Sequence, residues 1–136
     1  MSRENVEVVR RAYEAFNSAD RVKALAELSD DDLEFVSVLT AVDADDATYR
    51  GPESWATYFA RMDEIWDEWR AEDLEVFDAG GDRVAAIFRL AGTGKSSGAR
   101  VDHQIGLAYR MRGGKLWRMR SDVEPDEALK AVGVRD

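Results

Sequence analysis

The stretch DHQIGLAYRMRGGKLWRMRSDV, residues 102–123, consists of two alternating segments separated by Gly113-Gly114. On each side of the glycines, alternate residues form a less polar set, and the residues between them are charged, polar or small. A period of two on either side of turn residues is typical of an antiparallel hairpin. The stretch therefore predicts two paired strands, with one face turned toward a core.

The pairing register follows from matching the apolar faces. A two-residue turn would pair Arg112 with Lys115, and it would set Leu107 against Arg120, an apolar against a charged residue. A three-residue loop, which pairs Met111 with Lys115, avoids this mismatch. We therefore expect the longer loop. Its further pairs are Tyr109 with Trp117, Leu107 with Met119, Ile105 with Ser121, and His103 with Val123.

The other face of this hairpin mixes small and charged side chains, and we expect it to be solvated or to form a subunit interface. Its arginines alternate with aspartates, and the chain carries a net charge of −9. A phosphate backbone would be repelled by that average charge, so we expect no nucleic-acid partner. The residues predicted for this face are Gln104, Gly106, Ala108, Arg118 and Arg120.

Outward from the hairpin, the chain reads as one α+β domain over residues 1–136. Apolar residues spaced three and four positions apart predict the first helix, and Gly51-Pro52 is predicted to begin a long helix rich in aromatic residues. Glycines separate the later strands. The predicted elements are helices over 2–18, 20–28 and 51–69, a loop over 40–49, strands over 33–39, 72–78, 82–91, 99–111 and 115–124, and a short last helix over 125–133.

Composition narrows the functional classes. The 136 residues are 45% hydrophobic and include four Trp and five Phe, as expected of a globular protein. Because the chain contains no cysteine, disulfides and thiolate chemistry are excluded. The charged segment MSRENVEVVRR (1–11) has no apolar signal region, and no apolar run reaches the roughly 20 residues that span a membrane. We expect a cytoplasmic protein without a membrane partner.

The segment AGTGKSSG (91–98) resembles the end of a phosphate-binding loop. That motif requires a glycine five residues before Gly94, where this chain has Arg89. The motif also requires a helix to follow, whereas an alternating strand follows here. The segment is therefore interpreted as a hairpin tip without nucleotide binding.

Three segments resemble the SnoaL-like branch of the NTF2-like superfamily: NVEVVRRAYEAFNSAD (5–20), YRGPESWATYF (49–59) and AYRMRGGKLWRMRSDVEPDEALKAVGV (108–134). The resemblance implies a cone, in which a curved antiparallel sheet wraps around N-terminal helices and one long central helix. It also implies a pocket at the open end and a homodimer through the outer sheet face. Family members include polyketide cyclases, ketosteroid isomerase and limonene-epoxide hydrolase.

Their catalytic residues match this chain poorly. Ala12 and Val36 occupy the positions of the tyrosine and the general base of ketosteroid isomerase. The Arg and Asp candidates for epoxide hydrolysis fall on the predicted outer face. Of the acid–base groups that the cyclases carry on their last strands, this chain offers only His103.

His103, the only histidine, has two interpretations. In one it is a general acid or base in the pocket, and in the other it is a packed histidine bonded to backbone or to Ser121. Glu34, Asp43 and Asp45 are candidate lid or acid partners, with exposed carboxylates as the alternative. The acidic loop lacks a calcium-loop spacing, so we expect no metal and no cofactor.

The predicted function is a small-molecule pocket protein for an apolar, cyclic metabolite. If it is an enzyme, we expect a cofactor-free isomerase or cyclase. The alternative is a non-catalytic binding or dimerisation module with a filled pocket, because the fold serves both. The predicted pocket residues are Tyr58, Met62, Trp66, Tyr109, Trp117, Met119 and Ser121.

Overall fold

The computed structural model describes residues 2–37 and 48–122. Within these ranges the chain forms three helices and six strands, and the strands make one sheet. The predicted last helix and residues 40–47 of the predicted loop lie outside the described residues. The elements are α1 (Ser2–Phe16), α2 (Arg21–Glu27), β1 (Ser29–Val36), β2 (Thr48–Arg50), α3 (Ser54–Ile65), β3 (Trp66–Asp78), β4 (Arg83–Gly94), β5 (Arg100–Arg112) and β6 (Lys115–Asp122).

The sheet has the strand order β2-β1-β6-β5-β4-β3. The predicted meander of four strands is confirmed, because β3, β4, β5 and β6 are antiparallel neighbours in chain order. The sheet is not wholly antiparallel, as β1 runs parallel to β6. The sheet is curved and unclosed, and the helices pack on its concave face, so the α+β prediction is confirmed.

The first helix is attached to the sheet by two asparagines. Buried Asn5 donates to the carbonyl of Gly81, and Asn17 bonds the backbone of Ala71 on β3 through both ends of its amide, at 2.8 and 3.0 Å. Between them, Val9 and Ala12 bury the apolar face of α1 against the core. These contacts fix the helix across the concave face.

The third helix is shorter than predicted. It ends at Ile65, and Trp66 begins β3, so the prediction of a helix through residue 69 was wrong. Aromatic residues favour strands as well as core helices, and their three-residue spacing here reflects a β-bulge between Asp67 and Arg70. Glu68 lies in this bulge with φ 50°, and a second bulge follows at Asp73, with φ 57°.

The first strand begins earlier than predicted, at Ser29 instead of residue 33. The acidic run 30–32, which was expected to precede the strand, lies inside it, because Arg112 binds the carboxylates of Asp30 and Asp32. The loop prediction for residues 40–49 also fails at Thr48 and Tyr49, which belong to β2 and pair antiparallel with β1.

The predicted register of the 102–123 hairpin was wrong. The turn has two residues and pairs Arg112 with Lys115, and Gly113 and Gly114 both have positive φ, as a type I′ turn requires. A bulge at Trp117 then shifts the pairing by one residue, so that apolar faces again meet. The structure therefore pairs Tyr109 with Met119 and Leu107 with Ser121, in place of Trp117 and Met119. Val123, the predicted partner of His103, lies outside the described residues.

Candidate ligand cavity

A small cavity lies between the helices and the concave face of the sheet. Its volume is about 50 Å³. A water molecule needs roughly 10–15 Å³ by this kind of measure, whereas sites for drug-sized ligands enclose about 300–1,000 Å³. The described residues that line it are Ala12, Tyr13, Phe16, Leu25, Phe35, Trp55, Tyr58, Ala71, Leu74, Phe88, Leu107, Tyr109, Met119 and Ser121.

One wall of the cavity is an aromatic cluster centred on Tyr58. Its ring packs edge-on against Phe35 at 5.0 Å and against Trp55 at 5.7 Å between centroids. Outside the lining, Tyr49 packs edge-on against Tyr58 at 5.2 Å. The indole nitrogen of Trp55 donates to Ser29 Oγ at 2.9 Å. Edge-to-face packing and this hydrogen bond hold the wall rigid.

The polar groups of the cavity are hydroxyls. Tyr13 Oη donates to the carbonyl of Ala71 at 3.0 Å, and Tyr58 Oη accepts a hydrogen bond from Ser37 Oγ at 3.2 Å. Tyr109 and Ser121 supply the other hydroxyls, from β5 and β6. The lining therefore combines apolar walls with neutral groups that donate and accept hydrogen bonds.

None of the described lining residues carries a formal charge at neutral pH. Burial raises the pKa of the Tyr58 hydroxyl above its usual range, and the hydrogen bond from Ser37 opposes the shift. Burial likewise raises the pKa of Tyr109, and the nearby Tyr58 adds to the shift. Both phenols therefore stay protonated, and the cavity suits an uncharged molecule.

The structure brings together four of the seven predicted pocket residues: Tyr58, Tyr109, Met119 and Ser121. The other three lie apart from the described lining. Met62 is fully buried in the core, and Trp66 lies on β3 opposite Gly94. Trp117 belongs to the outer face, where the guanidinium groups of Arg110, Arg112 and Arg118 lie 4.4–5.4 Å from its ring centroid.

His103 is not among the described lining residues. It pairs with Leu90 and is exposed, although it was expected on an apolar strand face. Leu107, the nearest lining residue on its strand, is four positions away, or about 13 Å at the usual strand rise. The structure therefore does not place the imidazole at the cavity.

The predicted acidic partners are not brought to the cavity either. Glu34 points away from the cavity, and its Oε2 lies 3.7 Å from Nε of Arg50, while the adjacent Phe35 points inward. Asp43 and Asp45 lie outside the described residues. Within the described parts of the chain, no group of three or more acidic or histidine side chains is arranged to hold a metal ion.

Several of the lining residues were not predicted from the sequence. Phe88 alternates with Val84, Ala86 and Leu90, all buried, so the two-residue period of β4 carried the signal for its direction. Phe35 alternates with Leu33 in the same way on β1. The lining contributions of Tyr13 and Phe16 depend on how α1 crosses the sheet, which no local pattern records.

The outer face of the sheet has a different character. Ala85 is fully buried there, and around it pack the half-buried Phe77, Ala79, Ile87 and Ala108. Charged side chains surround this apolar strip, and Arg120, which was predicted for this face, pairs with Ala108, where the predicted register had Arg118. Among the described residues, no helix is long and apolar enough to cross a membrane.

Comparison with known families identifies the family of this chain. The family model of the SnoaL-like domain matches residues 9–119. The chain belongs to the SnoaL-like family. No curated protein matches the sequence.

Solved structures of this family's fold cover nearly the whole chain. An NTF2-like protein of unknown function from Burkholderia pseudomallei is 15% identical with a TM-score of 0.77, covering 96% of this chain and 98% of its own. TerC, co-crystallised with polyporic acid, is 18% identical with a TM-score of 0.76, at 95% and 98% coverage. A putative polyketide cyclase from Xanthomonas campestris is 19% identical with a TM-score of 0.73, at 97% and 98% coverage. At these identities the similarity establishes the NTF2-like fold.

Proposed function

We propose that this SnoaL-like protein binds a small, uncharged, cyclic molecule in the cavity between α1, α3 and the concave sheet face. The observation that carries the proposal is the lining itself. Its described residues are aromatic or aliphatic apart from the hydroxyl groups, and they carry no charge at neutral pH. Such a surface favours flat apolar rings with one or two polar atoms. The polyporic acid complex of TerC is consistent with a ligand on this fold.

The present volume of about 50 Å³ requires the lining to open for a ring-sized molecule. Met119 and Leu107 are the best placed to move, because Met is unbranched and flexible and Leu107 is only half-buried. The aromatic wall around Tyr58 is fixed by its packing. The sheet side of the cavity is therefore the side that adapts.

An isomerase or cyclase reaction, as the family resemblance implies, needs a group that moves a proton. Among the described lining residues the ionisable side chains are three tyrosines, and burial keeps Tyr58 and Tyr109 protonated. These groups polarise a carbonyl by hydrogen bonding and do not abstract protons. Binding is therefore the function that the cavity supports best.

The small volume favours a second candidate, a non-catalytic module whose pocket is filled by its own side chains.

The outer face supports assembly whether the cavity binds a ligand or is filled. We propose a homodimer through the apolar strip around Ala85, flanked by Gln104, Gly106, Arg118 and Arg120. Sedimentation velocity of Ala108→Glu should show monomers, whereas Arg10→Glu, which places the same charge on exposed α1 surface, should leave the dimer intact.

Ligand titration separates the two candidates. The fluorescence of Trp55 should report binding of uncharged one- and two-ring ketones, and Leu107→Phe, which reduces the cavity, should abolish it. Arg100→Phe adds the same ring to exposed surface of the same strand, away from the proposed dimer interface, and should bind normally. If the wild-type protein binds nothing but Met119→Ala binds the ketones, the filled-pocket candidate is correct.

A further inference from the structure

The hydroxyl group of Tyr109 differs from the other cavity hydroxyls. The side chain is 4% exposed and lines the cavity, yet its Oη makes no hydrogen bond to any described residue. Tyr13 and Tyr58, by contrast, have partners in Ala71 and Ser37. Buried polar groups are partnered in the great majority of cases, so this exception requires an explanation.

The oxygen opens into the cavity and is not sealed within the protein. Among the described residues, two fully buried side-chain atoms make no hydrogen bond, the Nε1 of Trp117 and the Nε of Arg89, and the second of them is ion-paired with Asp102 at 3.1 Å. Tyr109 Oη is not one of them, so its unpartnered group faces the cavity space. A ligand atom there can complete the hydrogen bond.

We propose that Tyr109 Oη is the specificity-determining contact of this cavity and donates a hydrogen bond to a carbonyl oxygen of an uncharged cyclic ligand. This inference rests on the proposed binding function and specifies its ligand class. The ligand contributes the acceptor because a protonated phenol is a good donor in an apolar site. A carboxylate or ammonium ligand is excluded, since no described lining residue supplies a compensating charge.

Tyr58 supports the same polar end of the ligand. Both tyrosines line the cavity, and Tyr58 adds to the raised pKa of Tyr109. Because Tyr58 Oη accepts its hydrogen bond from Ser37, its own hydrogen remains for donation. A carbonyl oxygen has two lone pairs, so an oxygen placed between the two hydroxyls could accept from both tyrosines.

Three ring compounds of similar size test the proposal by NMR titration of the full chain. Cyclohexanone carries the acceptor, methylenecyclohexane replaces it with an apolar group, and cyclohexanecarboxylate carries a charge. We expect the wild-type protein to bind cyclohexanone and to reject the carboxylate. In Tyr109→Phe, the affinity for cyclohexanone should fall by about tenfold while that for methylenecyclohexane is unchanged or higher.

Different outcomes would overturn different claims. If Tyr109→Phe changes both affinities equally, cavity binding stands and the specificity role of Tyr109 is refuted. If no ring compound binds to the wild-type protein, the binding function fails and the inference fails with it. Tight binding of the carboxylate would refute the uncharged ligand class.

The ligand-free protein provides an independent readout. Because Tyr109 Oη has no hydrogen-bond partner among the described residues, the Tm of Tyr109→Phe should be equal to or higher than that of the wild-type protein. Tyr58→Phe removes a hydrogen bond with Ser37 and should lower the Tm. Equal losses in the two variants would show that Tyr109 is already bonded, and the proposal would be wrong.

Discussion

Consecutive residues of β5 lie in two different environments. Tyr109 points to the concave face and is buried against Met119 and the cavity, whereas Arg110 points to the convex face and binds Asp82 at 3.3 Å. The alternation of the strand alone produces this difference. One face therefore excludes charge, and the other is organised by charge.

The two faces suit the two proposed functions, ligand binding and assembly. The concave face encloses the neutral hydroxyls at low solvent exposure, where a hydrogen bond to a ligand discriminates strongly. On the convex face, small residues such as Ala85 and Ala108 leave a shallow apolar strip between ion pairs. We infer that ligand selection belongs to the first face and assembly to the second.

The two faces should differ most in their contribution to stability. Phe88→Ala empties a ring from the concave face and should lower the free energy of unfolding by about 3–5 kcal/mol. Ile87→Ala, one residue away on the convex face, should cost about 1 kcal/mol, because that side chain is half-buried. Urea unfolding of both variants measures the difference. Equal losses of unfolding free energy in the two variants would show that the concave and convex faces contribute equally to stability.

Ionisation at high pH tests the concave face separately. The raised pKa values of Tyr58 and Tyr109 mean that the folded protein holds protons that the unfolded chain releases above pH 10, the usual tyrosine value. Stability should therefore fall as the pH rises beyond about 10. Absorbance at 295 nm should show Tyr58 and Tyr109 titrating only on unfolding, with Tyr58→Phe and Tyr109→Phe identifying their signals. Titration of either phenol at its usual pKa in the folded protein would contradict the buried placement.

The sequence predicted which β5 residues share a face, because a period of two is a local property. Tyr109 and Leu107 were correctly separated from Ala108 and Arg110. The register was missed because two solutions match the apolar faces: a longer turn, or a short turn followed by a bulge. The chain uses the second, and Trp117 is the bulged residue.

The hydrogen bonding of the polar groups in the cavity was harder to predict than the apolar residues that line it. Whether Tyr109 Oη has a partner depends on side chains from several elements, and no single segment encodes that arrangement. The end of α3 was missed for a related reason, since Trp66 and Trp69 fit both a helix and a bulged strand. His103 has an acid–base side chain on a predicted strand, but it is exposed and four positions along β5 from Leu107, the nearest described lining residue on that strand.

At low pH the convex face should respond through Asp30. Arg112 donates to this carboxylate at 2.6 Å, and this hydrogen bond, together with the backbone N–H of Asp32, lowers the pKa of Asp30. A lowered pKa stabilises the folded state above the unfolded value of about 3.9, and the contribution is lost as the pH falls through the folded value.

Asp30→Asn should therefore destabilise the protein at pH 7 but not at pH 2, as measured by urea midpoints. Asp31→Asn is the matched control, because Asp31 is exposed and has no partner among the described residues. If Asp30→Asn is as much less stable than the wild-type protein at pH 2 as at pH 7, the loss of the Asp30 charge is not the cause.

The smallest expected effect concerns the curvature that creates the two faces. Glu68 holds φ at 50° in the first bulge of β3, in the left-handed region that glycine adopts without strain. Glu68→Gly should relieve this strain, but glycine also gains entropy in the unfolded chain, so the net stabilisation should stay below about 1 kcal/mol. Glu75→Gly is the control, because Glu75 lies on the same strand and has no positive φ; this variant should be less stable than the wild-type protein.

Thermal unfolding compares the two variants, and destabilisation by both would mean that the bulge does not strain Glu68. Stabilisation by Glu68→Gly alone would show that the chain tolerates a strained residue to bend β3 around the cavity.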